Sequence, residues 1–167
     1  MATLSIEARR TLQNPLDLVE EMAGANDWPF QRTSEQELVV EAGGSWCTYR
    51  LYFGWVEEIG TMQFSALCDM RVPEAKREAV YALLALINER LLLGHFDLAG
   101  ECGQPAFRHA MLLRGVRGAS VEQLEDLVDI AVSECERFYP AFQFVLWGGR
   151  RASEAIDAAL LETVGEA

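Results

Sequence analysis

The sequence predicts an α+β fold with an antiparallel sheet, in the order α-ββββ-α-ββ-α followed by a helical tail. Three observations lead there. Four consecutive runs rich in aromatic and β-branched residues (29–33, 37–42, 47–57 and 61–70) are separated only by short turns, which is the pattern of a meander. The segments on either side of residues 28–70 switch to a helical apolar period. Strands therefore cluster in blocks instead of alternating with helices, which argues against a doubly wound parallel sheet.

Residues 1–13 carry little pattern and read as a loose leader, with 14–167 forming one domain. Asn14-Pro15 starts a helix, with Asn at the cap and Pro at the first helical position. Leu16, Val19, Met22 and Ala23 form its apolar side, and residues 24–26 end it. Ser34-Glu35, Gly43-Gly44 and residues 58–60 punctuate the meander. In its third run Tyr49, Leu51, Phe53 and Trp55 share one face, and Thr48, Arg50, Tyr52, Gly54 and Val56 share the other. The second face is only half apolar, which suits a sheet covered on one side and partly open on the other.

Val72-Pro73 stops the sheet and starts a long helix whose stripe is Val80, Leu83, Leu84, Ile87 and Leu91, with Gly94 placed to terminate it. Segments 95–99 and 107–114 read as two more strands around a glycine-rich loop. Ser120, with Gln123 three residues on, forms a capping-box pattern before Val121, Leu124, Val128, Ala131, Cys135 and Phe138. Pro140 is expected to interrupt that helix. Phe142, Val145, Leu146 and Trp147 follow, and the tail 152–164 is a short helix with Ile156, Ala159, Leu160 and Val164 on one side.

Composition narrows the function classes. A chain of 167 residues, half of them hydrophobic, is long enough to bury a core. Twenty-six acidic against 14 basic residues leave a net charge of −12, so phosphate backbones and anionic lipid surfaces repel it. The basic clusters Arg9-Arg10, Arg114 with Arg117, and Arg150-Arg151 read as solvated charges, and neither nucleic acid nor membrane is an expected partner. With no signal segment or apolar span, the expected location is the cytoplasm. Cys47, Cys68, Cys102 and Cys135 form no CxxC pair and read as free thiols in a reducing compartment.

No motif carries a specific chemistry. Gly43-Gly44 and Gly148-Gly149 are isolated doublets, and no phosphate-binding glycine pattern or GxSxG elbow occurs. The weak metal candidates are His95, Cys102 and His109. In a hairpin of the fifth and sixth strands the two histidines could stand opposite each other, but their spacing fits no standard zinc site. Cys102, between Gly100 and Gly103, reads as part of a turn rather than a nucleophile. No catalytic residue, metal or cofactor is therefore expected. The remaining signal is aromatic, and Tyr52, Phe142, Phe144 and Trp147 are the candidate partner-binding residues.

The helix start Asn14-Pro15, the strand Tyr49-Arg50-Leu51-Tyr52-Phe53, the helix after Val72-Pro73 and the segment Asn88-Glu89-Arg90-Leu91 leading to Gly94-His95-Phe96 resemble the YbjN-domain family of bacterial sensory transduction regulators. Tyr139-Pro140, Phe144-Val145-Leu146-Trp147-Gly148-Gly149 and the ending Leu161-Glu162-Thr163-Val164-Gly165-Glu166-Ala167 are similar to its alphaproteobacterial branch. The resemblance implies a twisted antiparallel sheet packed by helices, like type III secretion chaperones, which are acidic, often dimeric and bind extended client segments. It supplies no catalytic residues. The expected function is a non-catalytic, chaperone-like or adaptor protein-binding module in bacterial signalling or stress response, with an unidentified protein partner. Homodimerisation is implied by the resemblance, and exposed strand edges would offer a route to it. The alternative is a small-ligand sensor with a pocket between the sheet and the long helix.

Overall fold

The computed structural model describes residues 12–101 and 103–165. The first eleven residues of the expected leader lie outside that range, as do Cys102 and the side chain of Val164. The first helix, α1 (Pro15–Ala25), starts where the sequence places it. The Asn14 side chain accepts the Leu16 N–H at 3.0 Å, and its amide donates to the Glu35 carbonyl at 2.7 Å. One residue thus caps the helix and ties it to the first hairpin.

Six strands follow in one antiparallel sheet: β1 (Phe30–Ser34), β2 (Glu37–Gly43), β3 (Thr48–Val56), β4 (Thr61–Leu67), β5 (His95–Ala99) and β6 (Gln104–Leu112). The spatial order is β1-β2-β3-β4-β6-β5, so β6 inserts between β4 and β5. The long helix α2 (Arg77–Asn88) supplies the connection from β4 to β5. The expected fourth run is three residues too long at its end. Past Leu67 the chain turns, with Met70 N–H bonded to the Cys68 carbonyl. The sixth strand begins earlier than expected, because Pro105 lacks only a donor and its carbonyl still accepts from Cys68 N–H at 2.9 Å.

The alternation in β3 reads onto the structure directly. Tyr49, Leu51, Phe53 and Trp55 are buried, and they align across the sheet with Leu38, Val40 and Ala42 of β2 and with Met62, Phe64 and Ala66 of β4. Phe96 and Phe107 extend this buried face, their rings 5.7 Å apart edge to face. The helices α1, α2, α3 (Val121–Leu146) and α4 (Ala152–Gly165) close over it. In α4, Ile156 and Ala159 are buried and Leu160 half-buried, as the tail pattern predicts.

Two expectations about helices need correction. α2 ends at Asn88, six residues before Gly94. Gly94 has φ +68°, and a Cβ there would lie 2.3 Å from the Phe107 ring and 2.8 Å from the Arg108 carbonyl. It is glycine because the chain must pass close to β6 at the start of β5, not because it ends a helix. The second correction concerns Pro140, which does not interrupt α3. The helix runs through it to Leu146. A proline inside a helix costs about 3 kcal/mol. Phe142, Val145 and Leu146 are buried on the turns that continue past it, and each contributes roughly 1.5–3 kcal/mol. Packing outweighs the local penalty. At the other end the capping box forms as written, with Ser120 Oγ accepting Gln123 N–H at 3.1 Å and Gln123 Oε1 accepting Ser120 N–H at 3.0 Å.

Candidate functional site

The four helices among the described residues lie over one face of the sheet, and none of them covers the other. Tyr52 stands in it, 39% exposed, opposite Val39 on β2 and Ser65 on β4. Its flanking positions are small or polar, so its ring forms a wall between two shallow cavities. One, of about 430 Å³, is lined by Pro29, Phe30, Gln31, Val39, Glu41 and Arg50 as well as Tyr52. The other, of about 320 Å³, lies towards Thr33, Glu37, Gly54, Gln63 and Ser65. Val39 and Tyr52 line both.

The other aromatic candidates are not part of this surface. Phe142 is fully buried in the core, its ring 6.0 Å from Phe96, and is not available as an anchor. The reason is the continuous α3, which carries Phe142 inward one turn past Phe138. Phe144 is half-buried beneath the Arg150 guanidinium, 4.5 Å from its ring centre. Trp147 is 68% exposed at the end of α3, in the helical layer and so apart from Tyr52. Between the sheet and the long helix, Val80, Leu83 and Ile87 of α2 are fully buried.

His95 and His109 do not stand opposite each other. His95 pairs with Arg108, and His109 pairs with Phe64 on the next strand. An offset of one residue puts the two imidazoles on opposite faces of the sheet. Cys102 lies outside the described residues, among which no three His, Cys, Asp or Glu side chains converge as metal ligands do. Burial, and then the nearby charge of His95, hold His109 below the ordinary imidazole value of 6.5. The unfolded chain therefore takes up the proton first, so this group stabilises the fold above pH 6.5 and that contribution is lost on acidification. His109→Gln should flatten the fall in unfolding free energy between about pH 7 and pH 5, measured by urea titration. An unchanged slope would assign the acid sensitivity elsewhere.

A polar cluster under the β2–β3 turn was not legible in advance. Glu136 of α3 accepts the Tyr49 hydroxyl at 2.6 Å and the backbone N–H groups of Ser45 and Trp46 at 3.0 and 3.4 Å. Burial and the bond to Glu136 raise the Tyr49 hydroxyl well above the usual phenol range. Trp46 stacks on Tyr139 with centroids 5.8 Å apart, and Tyr139 is pushed up to about 12, chiefly by burial. Cys68 and Cys135 are buried beside this cluster, and Cys47 is half-buried. The Cys68 thiol is raised by its hydrogen bond with the free Cys135 thiol and by burial, and Cys47 mainly by burial. Thiolates are the reactive species, so all these shifts oppose nucleophilic chemistry.

A six-stranded antiparallel sheet with helices on one face and an open opposite face defines an α+β scaffold. The sequence matches the YbjN family model, described as "Putative bacterial sensory transduction regulator", over residues 15–144. The chain belongs to the YbjN family. The crystal structure of YbjN from E. coli, named there "a putative transcription regulator", superimposes with a TM-score of 0.50 at 16% identity, covering 93% of this chain and 96% of that one. At that identity the likeness establishes the fold alone. No curated protein matches the sequence. Among the described residues no helix is long and apolar enough to cross a membrane.

Proposed function

We propose that the chain is a non-catalytic regulator of the chaperone or adaptor kind, acting in the cytoplasm in signalling or stress response, which holds a segment of another protein against its open sheet face. The observation that carries this reading is Tyr52, half-exposed between two adjoining cavities on a face that no helix among the described residues covers. Tyrosine anchors interfaces because it offers a large, rigid contact area with a polar tip. A net charge of −12 favours apolar or basic partner segments over acidic ones. Family membership supports a regulatory role.

Comparative affinity capture from native cytoplasm tests it, with wild type, Tyr52→Ala and Trp147→Ala quantified side by side. A stoichiometric partner that falls about tenfold or more with Tyr52→Ala, while the fold is intact, supports the sheet face as the binding surface. Loss with Trp147→Ala alone would move the surface to the helical layer. Equal capture by all three would remove both anchors.

A further inference from the structure

The two edges of the sheet are treated differently. At β5 three of the outward groups are taken. Asn88, at the end of α2, accepts the Phe96 N–H at 2.7 Å and donates to the Phe96 carbonyl at 3.1 Å. The next outward N–H, of Leu98, is bonded to Asp97 Oδ1 at 2.8 Å. The Asn88 carboxamide occupies the place of a neighbouring strand and closes this edge to pairing.

At β1 no such device is present among the described residues. The Glu41 N–H bond to the Pro29 carbonyl, 2.8 Å long, sets the phase of the β1–β2 ladder. With Phe30 opposite Val40 and Arg32 opposite Leu38, the bonding pair between them is Gln31 with Val39. The Trp55 N–H bond to the Gln36 carbonyl gives the same phase from the β3 side. Phe30 and Arg32 therefore turn their N–H and C=O groups outward, where no described residue bonds them. A bulge between Arg32 and Ser34 ends the usable edge there.

The surroundings say what kind of strand would fit. On the helix side of the edge, the Arg32 guanidinium is shared by three carboxylates, Asp17 at 2.7 Å, Glu20 at 3.2 Å and Glu35 at 3.4 Å, leaving excess negative charge. On the open side lies the 430 Å³ cavity, with Tyr52 at its wall; the Phe30 side chain, level with Val40, is on the helix side of the strand and 41% exposed. Successive side chains of a strand point to opposite faces. A strand added here would put one set against carboxylates and the other into that cavity.

Resting on the reading of this protein as a binding module, the geometry points to β1 as a docking edge for an extended partner segment in which Lys or Arg alternates with apolar residues. The segment pairs with Phe30 and Arg32, lays an apolar side chain over Gln31 at the near edge of the cavity whose far wall is Tyr52, and directs its cations to Asp17 and Glu20. The β5 edge takes no strand.

The test uses the full chain and a capped probe peptide, Lys-Val-Lys-Phe-Lys-Val-Lys, with amide hydrogen exchange followed by NMR. At saturation the Phe30 and Arg32 amides should exchange about tenfold more slowly or better, while Phe96 and Leu98 stay unchanged. A peptide with Glu for every Lys, and one N-methylated at every central residue, should not bind. No binding of the probe, binding without protection at Phe30 and Arg32, or equal binding of the N-methylated peptide would each overturn the assignment. Protection of these amides that rises with protein concentration and needs no peptide would place a second copy on the edge, and would overturn it too. Tyr52-dependent capture that persists when the probe fails leaves the sheet-face reading standing and removes only the edge.

Discussion

Replacing Phe142 by alanine should lower the unfolding free energy by about 3–5 kcal/mol, the usual cost of deleting a fully buried aromatic ring. Phe142 has no exposed surface and packs against Phe96, which also meets Phe107 and Phe138. The cavity would open where α3 rests on β5, and neither element can collapse into it without dragging the other. For a chain of this length the melting temperature should fall by about 6–20 °C. Phe144→Ala is the control. Its ring is half-buried and covered by Arg150, so it should cost less than about half as much. Urea unfolding of the two variants decides the matter. A loss below about 1 kcal/mol for Phe142→Ala would mean that the ring is not in the core and that the continuous α3 is misplaced.

Glu136→Ala should be nearly as damaging, at about 2–4 kcal/mol. One carboxylate oxygen serves three donors, the Tyr49 hydroxyl and the N–H groups of Ser45 and Trp46. Removing it strands a hydroxyl on a residue with no exposed surface. It also unpins the β2–β3 turn from α3. Gly44 belongs to the same arrangement, because a Cβ there would lie 2.3 Å from both the Glu136 carboxylate and the Tyr49 ring. Tyr49→Phe removes a single donor and leaves the two backbone bonds, so its cost should be about 1 kcal/mol. The double variant should cost clearly less than the sum of the two single changes, since the two groups share one bond. Strict additivity in that cycle would show that Glu136 does not hold Tyr49.

The candidate site was legible only in part, and the division follows the range of the interactions involved. Tyr52 could be placed on the open face because alternation along β3 depends on the strand alone, and the two faces of that strand differ in polarity. Phe142 could not be placed, since a local rule about proline competes with the packing of Phe142, Val145 and Leu146 in the core. The histidines were misplaced for a smaller reason. The turn between β5 and β6 shifts the pairing by one residue, and with a period of two that moves His109 to the other face. The role of Asn88 has no local signal, because its bonds to Phe96 exist only once β5 lies beside α2.

What the amino-acid order determined by itself is the local structure: the Asn14-Pro15 start of α1, the Ser120–Gln123 box of α3, the four meander strands and the sidedness of β3. These depend on residues within one turn or one strand of each other. Tertiary structure alone decided the insertion of β6 between β4 and β5, the passage of α3 through Pro140, the pinning of the β2–β3 turn by Glu136, and the sealing of one sheet edge by Asn88. Each of these joins groups from separate elements. Their free energy arises only when burial brings the partners together, so no local pattern announces them.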